Sequence, residues 1–429
     1  MKPRGWWNGT PGQKAEHKHE PQNILNLDTL GNASSSTANS NLVPSSPEIG
    51  EQRCDSGSCG NYYGPANETL SGPWSYEPRC IEDETSHEKF CVYTNNSFAK
   101  GRGISFFTTP QIAEKVLALP AFTQQGLHDE VNVFNDPPWE IKSVPGRGNG
   151  LFATRTINRG DLIISTTPVG IYMSDAFFPD FPLEYKYLHM SFDQLPKATQ
   201  DVFMRSAAHY EGDPIMERIN TNAFAGVFED SQHFLMYPET ALMNHDCRPN
   251  AMYYFDPTTL IHSTHASRTI EPGEEITLTY INLLQTYASR QANLKEHWGF
   301  ECTCSLCSLE PSQRAQSDSR IRAIVEAQED LLDWSRRSQG SAIQAEELIL
   351  LYEKEGIHAA SGTAHMLAAL AYNAEGRTTL AKWHAKIAVK DGVVYSGSDD
   401  VNATDMKTLI GNPESHWSYM ARIQRQRVI

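Results

Sequence analysis

No apolar run in the chain approaches the roughly eighteen residues that read as a bilayer span, and the mean hydropathy is −0.48. A membrane helix is therefore not expected. Basic residues are also scarce: 36 Lys and Arg stand against 52 Asp and Glu, a net charge of −16 over 429 residues. Nucleic-acid binding draws on clustered cations that neutralise phosphates, so direct nucleic-acid contact is not expected either. The charged start Met1-Lys2-Pro3-Arg4 has no apolar segment behind it, and no secretory signal is read there. The expected location is nuclear or cytoplasmic, with the secretory pathway as the alternative should the start be incomplete. Among the first four cysteines (Cys54, Cys59, Cys80 and Cys91) there is no Cys-x-x-Cys pair. That weakens a zinc site in the first part of the chain.

The length suits two or three domains with a sizeable core. Residues 1–53 are dominated by Asn, Ser, Gly, Pro and Gln, too few of them apolar to offset the entropy of ordering, and are expected to form a disordered arm. Residues 54–136 form a cysteine-containing N-terminal region. Its even cysteine count in a Gly/Pro-rich stretch fits two disulfides, with three pairings open. Glycosylation triplets at Asn67-Glu68-Thr69 and Asn95-Asn96-Ser97, and others at Asn8, Asn32 and Asn402, agree with that. The competing reading is chance triplets in an Asn- and Ser-rich chain, and the missing signal favours it.

From Glu140 the texture changes. Glu140–Val144 alternates as a strand, Gly146-Arg147-Gly148-Asn149-Gly150 turns, and Leu151–Thr154 continues. Further strands are expected at 162–165, 169–173, 234–236, 260–263 and 276–280, with residues 174–218 mostly helical. After Pro311 the period becomes helical, with Ile321, Ile324, Val325, Gln328, Leu331 and Leu332 on one face. Segments at 342–352 and 364–388 follow, the second broken at Glu375-Gly376-Arg377 into a hairpin. Tyr372, Ala381 and Ala388 resemble one tetratricopeptide-type unit; a plain bundle is the alternative.

The Gly-rich turn is not a dinucleotide site. Position 151, where Gly-x-Gly-x-x-Gly needs its third glycine, is Leu, and a strand follows where a helix is required. Three more segments carry chemistry: Met243-Asn244-His245-Asp246-Cys247-Arg248-Pro249-Asn250, Gly273-Glu274-Glu275-Ile276-Thr277-Leu278-Thr279-Tyr280, and Trp298-Gly299-Phe300-Glu301-Cys302-Thr303-Cys304-Ser305-Leu306-Cys307. Cys302, Cys304 and Cys307 supply three thiolates within six residues, and a closed tetrahedral zinc site needs a fourth ligand. Cys247 is the one other cysteine outside the N-terminal group.

Together and in this order, the four segments resemble the SET-domain family of protein lysine methyltransferases over roughly residues 140–310. The cysteine tail and the helical C-terminal region look most like the SMYD branch and related fungal SET proteins. A MYND finger is missing, since residues 174–218 hold no cysteine, which puts MYND-type partner binding in doubt. The resemblance implies an α+β fold: a β-rich SET domain at 137–300 with a helical insertion and a knotted C-terminal segment, a post-SET zinc motif at 301–310, and a helical region at 311–429.

The resemblance also implies roles. Cys247 would join Cys302, Cys304 and Cys307 on one structural Zn²⁺. S-adenosylmethionine would be held by Arg147, Gly148, Asn149 and Gly150, by Asn244 and His245, by Asn222, and by Phe300 against its adenine. Read without the resemblance, Phe300 is core packing and Asn222 a turn residue. Tyr280 would be the catalytic residue and, with Trp298, line the lysine channel; Trp298 replaces a tyrosine common in the SMYD branch and removes a hydroxyl. The partner implied is a lysine of a protein substrate, a histone tail among the candidates. The alternative function is a catalytically weak SET scaffold that binds proteins through its C-terminal helices.

Overall fold

The computed structural model describes residues 72–82, 87–174, 182–209, 212–228, 231–335, 337–397 and 400–426. The expected arm 1–53, Cys54, Cys59 and the triplets at Asn8, Asn32 and Asn67 lie outside the described residues.

The strands are β1 (Arg79–Glu82), β2 (Lys89–Asn95), β3 (Ile104–Thr108), β4 (Trp139–Val144), β5 (Gly148–Ala153), β6 (Leu162–Thr166), β7 (Gly170–Met173), β8 (Phe224–Phe228), β9 (Ser231–Met236), β10 (Asn244–His245), β11 (Ala251–Asp256), β12 (Ile261–Ala266) and β13 (Glu275–Leu278). They form three sheets, ordered β1-β2-β3-β7-β9-β8, β10-β13-β5-β4 and β11-β12-β6. The fold is thus α+β with many short strands, as expected. The boundary expected at residue 137 divides the sequence but not the first sheet, which takes β1–β3 from one side and β7–β9 from the other. Its strands are rich in β-branched and aromatic residues, which suit a buried pleated face. Phe90, Phe106, Phe107, Tyr172, Phe203 and Leu235 fill the core beside it.

Cys80 and Cys91 sit opposite each other in the β1–β2 register and are joined by a disulfide. The Asn95 triplet is a turn: Asn95 is buried, and its side-chain oxygen accepts from the Ser97 N–H and hydroxyl, each at 2.9 Å.

A second core lies between the other two sheets, around Leu151, Ile164, Ile270, Ile276 and Leu278. The C-terminal region packs helices Pro311–Leu332, Ala342–Glu355, Ser361–Ala374, Thr378–Ser396 and Val401–Gly411 around a third. Ile321, Ile324, Gln328 and Leu331 all face inward, and Tyr372, Ala381 and Ala388 are buried in the helical hairpin. The helical region is tied to the sheets by Arg159–Asp391 at 2.6 Å, by the Tyr395 hydroxyl on the Ala266 carbonyl at 3.1 Å, and by Arg248–Glu355 at 2.9 Å. No helix among the described residues is long and apolar enough to cross a membrane.

Candidate active site

Strand β13 organises the site. It runs parallel to β10, pairing Asn244 with Thr277 and His245 with Leu278, and antiparallel to β5, pairing Glu275 with Phe152. Segments separated by more than a hundred residues are thereby brought edge to edge. The β4–β5 hairpin turns through Gly146 and Gly148, whose φ values of 74° and 72° suit glycine. Gly150 follows in β5, and a Cβ there would stand 2.8 Å from Oε1 of Glu275 and 3.0 Å from Nδ2 of Asn244. Glu275 accepts from Arg147 Nη2 at 2.5 Å and from Asn244 Nδ2 at 2.8 Å. Asn244 Nδ2 also donates to the Asn149 carbonyl at 3.2 Å. Arg147, Asn149, Gly150 and Asn244 are thus drawn together around one carboxylate.

Asn250 is buried, its oxygen accepts from Thr277 N at 2.8 Å, and its amide donates to the Glu275 carbonyl at 2.8 Å. This side chain, with the Asp246 N–H on the Leu278 carbonyl at 2.9 Å, pins the loop carrying Cys247 to β13.

His245 is buried between the strand and the cysteines. Its Nδ1 accepts from the Tyr280 N–H at 3.0 Å, so its proton is on Nε2, 3.4 Å from Cys247 Sγ. Burial pushes its pKa down to about 3 and keeps the ring neutral.

Tyr280 does not lie on the strand, as the alternation of Ile276 and Leu278 led us to expect. β13 ends at Leu278, and the Thr279 hydroxyl, donating to the Ile281 carbonyl at 2.7 Å, closes a bend that stops the ladder. The Tyr280 hydroxyl donates to the Met243 carbonyl at 2.8 Å, and burial raises its pKa above the usual phenol range. The Trp298 ring is 5.6 Å from that of Tyr280, and the Phe300 ring is 6.2 Å from His245. Both aromatics arrive from helix Tyr287–Trp298, which stops at Gly299 in the left-handed conformation with φ 73°. The chain reverses there and delivers Phe300 and the cysteine tail.

Asn222 stands apart from this group. It ends helix Pro214–Asn222, and its amide donates to the Ala207 and Arg218 carbonyls, both at 2.7 Å. Its nitrogen ties the last turn of the helix to the Ala207 carbonyl outside it.

The four sulfurs of Cys247, Cys302, Cys304 and Cys307 all lie within 4.8 Å of one another. Cys247 Sγ is 3.9 Å from that of Cys302 and 3.6 Å from that of Cys307. Zn–S bonds of about 2.3 Å in a tetrahedron require sulfurs about 3.8 Å apart. The donor set fits zinc. The polar cradle around Gly150 offers a cation in Arg147, an anion in Glu275 and a neutral amide in Asn244, a set suited to a zwitterionic ligand such as the amino-acid end of S-adenosylmethionine.

Comparison with known proteins agrees with this geometry. Residues 148–281 match the SET domain. Histone-lysine N-methyltransferase set5 of Schizosaccharomyces pombe is 32% identical over 198 residues, 46% of this chain and 58% of that protein. N-lysine methyltransferase SMYD2 of Gallus gallus is 30% identical over 129 residues, 28% of this chain and 29% of that protein. Histone-lysine N-methyltransferase SMYD3 of Homo sapiens is 33% identical over 96 residues, 22% of each. The chain spans at most 58% of the length of these relatives. The segment that matches the SET domain is the one that carries the Gly-rich hairpin, the Asn244–His245 strand and Tyr280.

Proposed function

We propose that this chain is a protein lysine methyltransferase that uses S-adenosylmethionine and carries one structural Zn²⁺. The observation that carries the proposal is the pairing of β10 with β13, which sets Asn244, His245 and Glu275 beside the Gly146–Gly150 hairpin and within one bend of Tyr280. Arg147, Glu275 and Asn244 would hold the zwitterionic end of the cofactor, and Phe300 would pack on its adenine. When bound, S-adenosylmethionine supplies an electrophilic methyl group on a positive sulfonium.

The substrate amine must arrive neutral, although a free lysine has a pKa of about 10.4. Beside the Tyr280 and Trp298 rings, whose centroids are 5.6 Å apart, the amine would lose water, and desolvation disfavours the ammonium form. Tyr280 does not serve as the base, because burial raises its pKa. Its hydroxyl and the Met243 carbonyl it bonds are placed to orient the amine, and the rate advantage comes from alignment. Cys247, Cys302, Cys304 and Cys307 would hold the zinc that fixes the tail bearing Phe300. Relatives named as histone-lysine and as N-lysine methyltransferases make a protein lysine, a histone tail included, the substrate class.

Incubating the protein with methyl-labelled S-adenosylmethionine and a cell extract tests this. Label is expected on protein lysines, and Tyr280→Phe is expected to lower transfer while cofactor binding stays within a few-fold. Cofactor binding with no transferred label would instead support a scaffold, the role Trp298 would favour. Purified protein without stoichiometric zinc would overturn the metal assignment.

A further inference from the structure

Arg290 is the largest fully buried side chain in the structure, 1% exposed. A guanidinium stays protonated at any working pH and is costly to bury without an anion. Yet among the described residues no carboxylate lies within ion-pair distance of it. Its Nη1 donates to the Gln285 carbonyl at 2.8 Å, its Nη2 approaches Cys307 Sγ at 3.9 Å, and its Nε has no partner. The negative charge available to it is the cysteine cluster.

The charge on that cluster explains the arginine. Four thiolates around a divalent ion leave two negative charges in excess, here on a cluster three of whose four cysteines are buried. His245 contributes an N–H to Cys247, and because its other nitrogen accepts from the Tyr280 N–H this is a hydrogen bond and not a counter-charge. Arg290 reaches the cluster from helix Tyr287–Trp298, with its Nη2 3.9 Å from Cys307 Sγ. We infer that Arg290 is a positioning residue for the metal centre: its buried guanidinium balances the excess charge of the four-thiolate site and so holds the metal in place. This rests on the cluster holding zinc, as proposed above.

The experiment measures the rate at which full-length, zinc-loaded protein loses its metal to a chromogenic chelator. Outer partners of metal ligands are worth about 10–100-fold in metal affinity. Arg290→Met, which keeps the bulk and removes the charge, is expected to release zinc at least tenfold faster than wild type on that basis. Arg290→Lys, which keeps the charge, is expected to stay within about threefold. Cys304→His removes one thiolate charge from the half-buried ligand. Placed with Arg290→Met, it should restore retention to that of Cys304→His alone.

If Arg290→Met does not fold, the double variant is expected to recover soluble, zinc-bound protein. Wild-type rates for Arg290→Met, or a double variant as defective as Arg290→Met, would assign Arg290 to packing and overturn the inference. A wild-type protein with no zinc overturns the metal assignment itself, a result distinct from zinc-bound wild type whose Arg290→Met variant behaves normally.

Discussion

The main-chain N–H of Tyr280 donates to Nδ1 of His245 at 3.0 Å. One imidazole therefore connects the candidate catalytic bend to a sulfur of the cysteine cluster, because its other nitrogen carries the proton that faces Cys247. Removing the ring leaves a buried N–H unpaired, at a cost of about 1–3 kcal/mol, and takes a hydrogen bond from the Cys247 sulfur. We expect His245→Ala to lower zinc retention and methyl transfer together, the first by about 10–100-fold. Metal content and labelled-methyl transfer, measured on the same preparations, check whether the two losses travel together. Loss of transfer with full zinc retention would separate the two ends of the ring.

Glu275 is the second point of leverage. It gathers Arg147 and Asn244, and the same carboxylate faces Gly150 across 2.8 Å to a would-be Cβ. Arg147 is 42% exposed, so its half of the pair is screened by solvent and contributes little to folding. The effect should appear in binding. Glu275→Ala is expected to raise the KM for S-adenosylmethionine by roughly tenfold, the worth of about one charge-assisted hydrogen bond, while kcat stays within a few-fold. Glu275→Gln, which keeps one acceptor, should lie between it and wild type. A fall in kcat with an unchanged KM would place Glu275 on the reacting side of the pocket.

The motif residues could be read from sequence because their chemistry is carried by residue type and order: glycines in a turn, three thiols in six positions, an Asn-His pair. What joins them could not. β13 pairs with β10 and β5 across long stretches of chain, and no local pattern announces a partner strand. Glu275 and Asn250 went unassigned for the same reason, since an acid after a glycine and an amide after a proline are ordinary turn residues until a neighbouring strand is known. Alternation misplaced Tyr280 because a hydroxyl on Thr279 ends the ladder two residues early. Asn222 matched a motif in isolation, and in the fold its amide donates to the carbonyls of Arg218 in its own helix and of Ala207 before it.

Acid stability should report on the joint between the sheets and the helical region. Glu355 is 1% exposed and is bonded by Arg248 at 2.9 Å, Arg320 at 2.5 Å and Ser317 at 2.7 Å. Burial alone would push its carboxyl up, but the bonds from Ser317, Arg248 and Arg320 outweigh it and hold the pKa below the usual range. A carboxylate with a lowered folded pKa adds stability above its unfolded value of about 4.3, and that part is lost as pH falls through the folded value. Glu355→Gln is expected to cost about 3 kcal/mol at pH 7, because it leaves Arg248 buried without its charge partner. It should also flatten the decline in stability below about pH 4.3. Urea midpoints at pH 7 and in the acid range check both. Equal acid slopes for the two proteins would remove Glu355 from the account.

The disulfide between Cys80 and Cys91 sets a test that also bears on location. The two residues face each other on β1 and β2, and Cys91 is 1% exposed in the core of the first sheet. The bond closes a sequence separation of 11 residues, for which the loss of loop entropy in the unfolded chain corresponds to about 2–3 kcal/mol. Cys80→Ala with Cys91→Ala is expected to lower unfolding stability by that amount at constant zinc content. Peptide mapping of unreduced protein should recover the two cysteines in one linked fragment. Nuclear and cytoplasmic thiols are kept reduced, so a bond of this kind persists in oxidising compartments. Linked peptides from protein isolated under alkylation from its own cells would therefore point to an oxidising compartment. Free thiols in that preparation, with full stability in the double variant, would show that β1 and β2 are held by their hydrogen bonds and core packing alone.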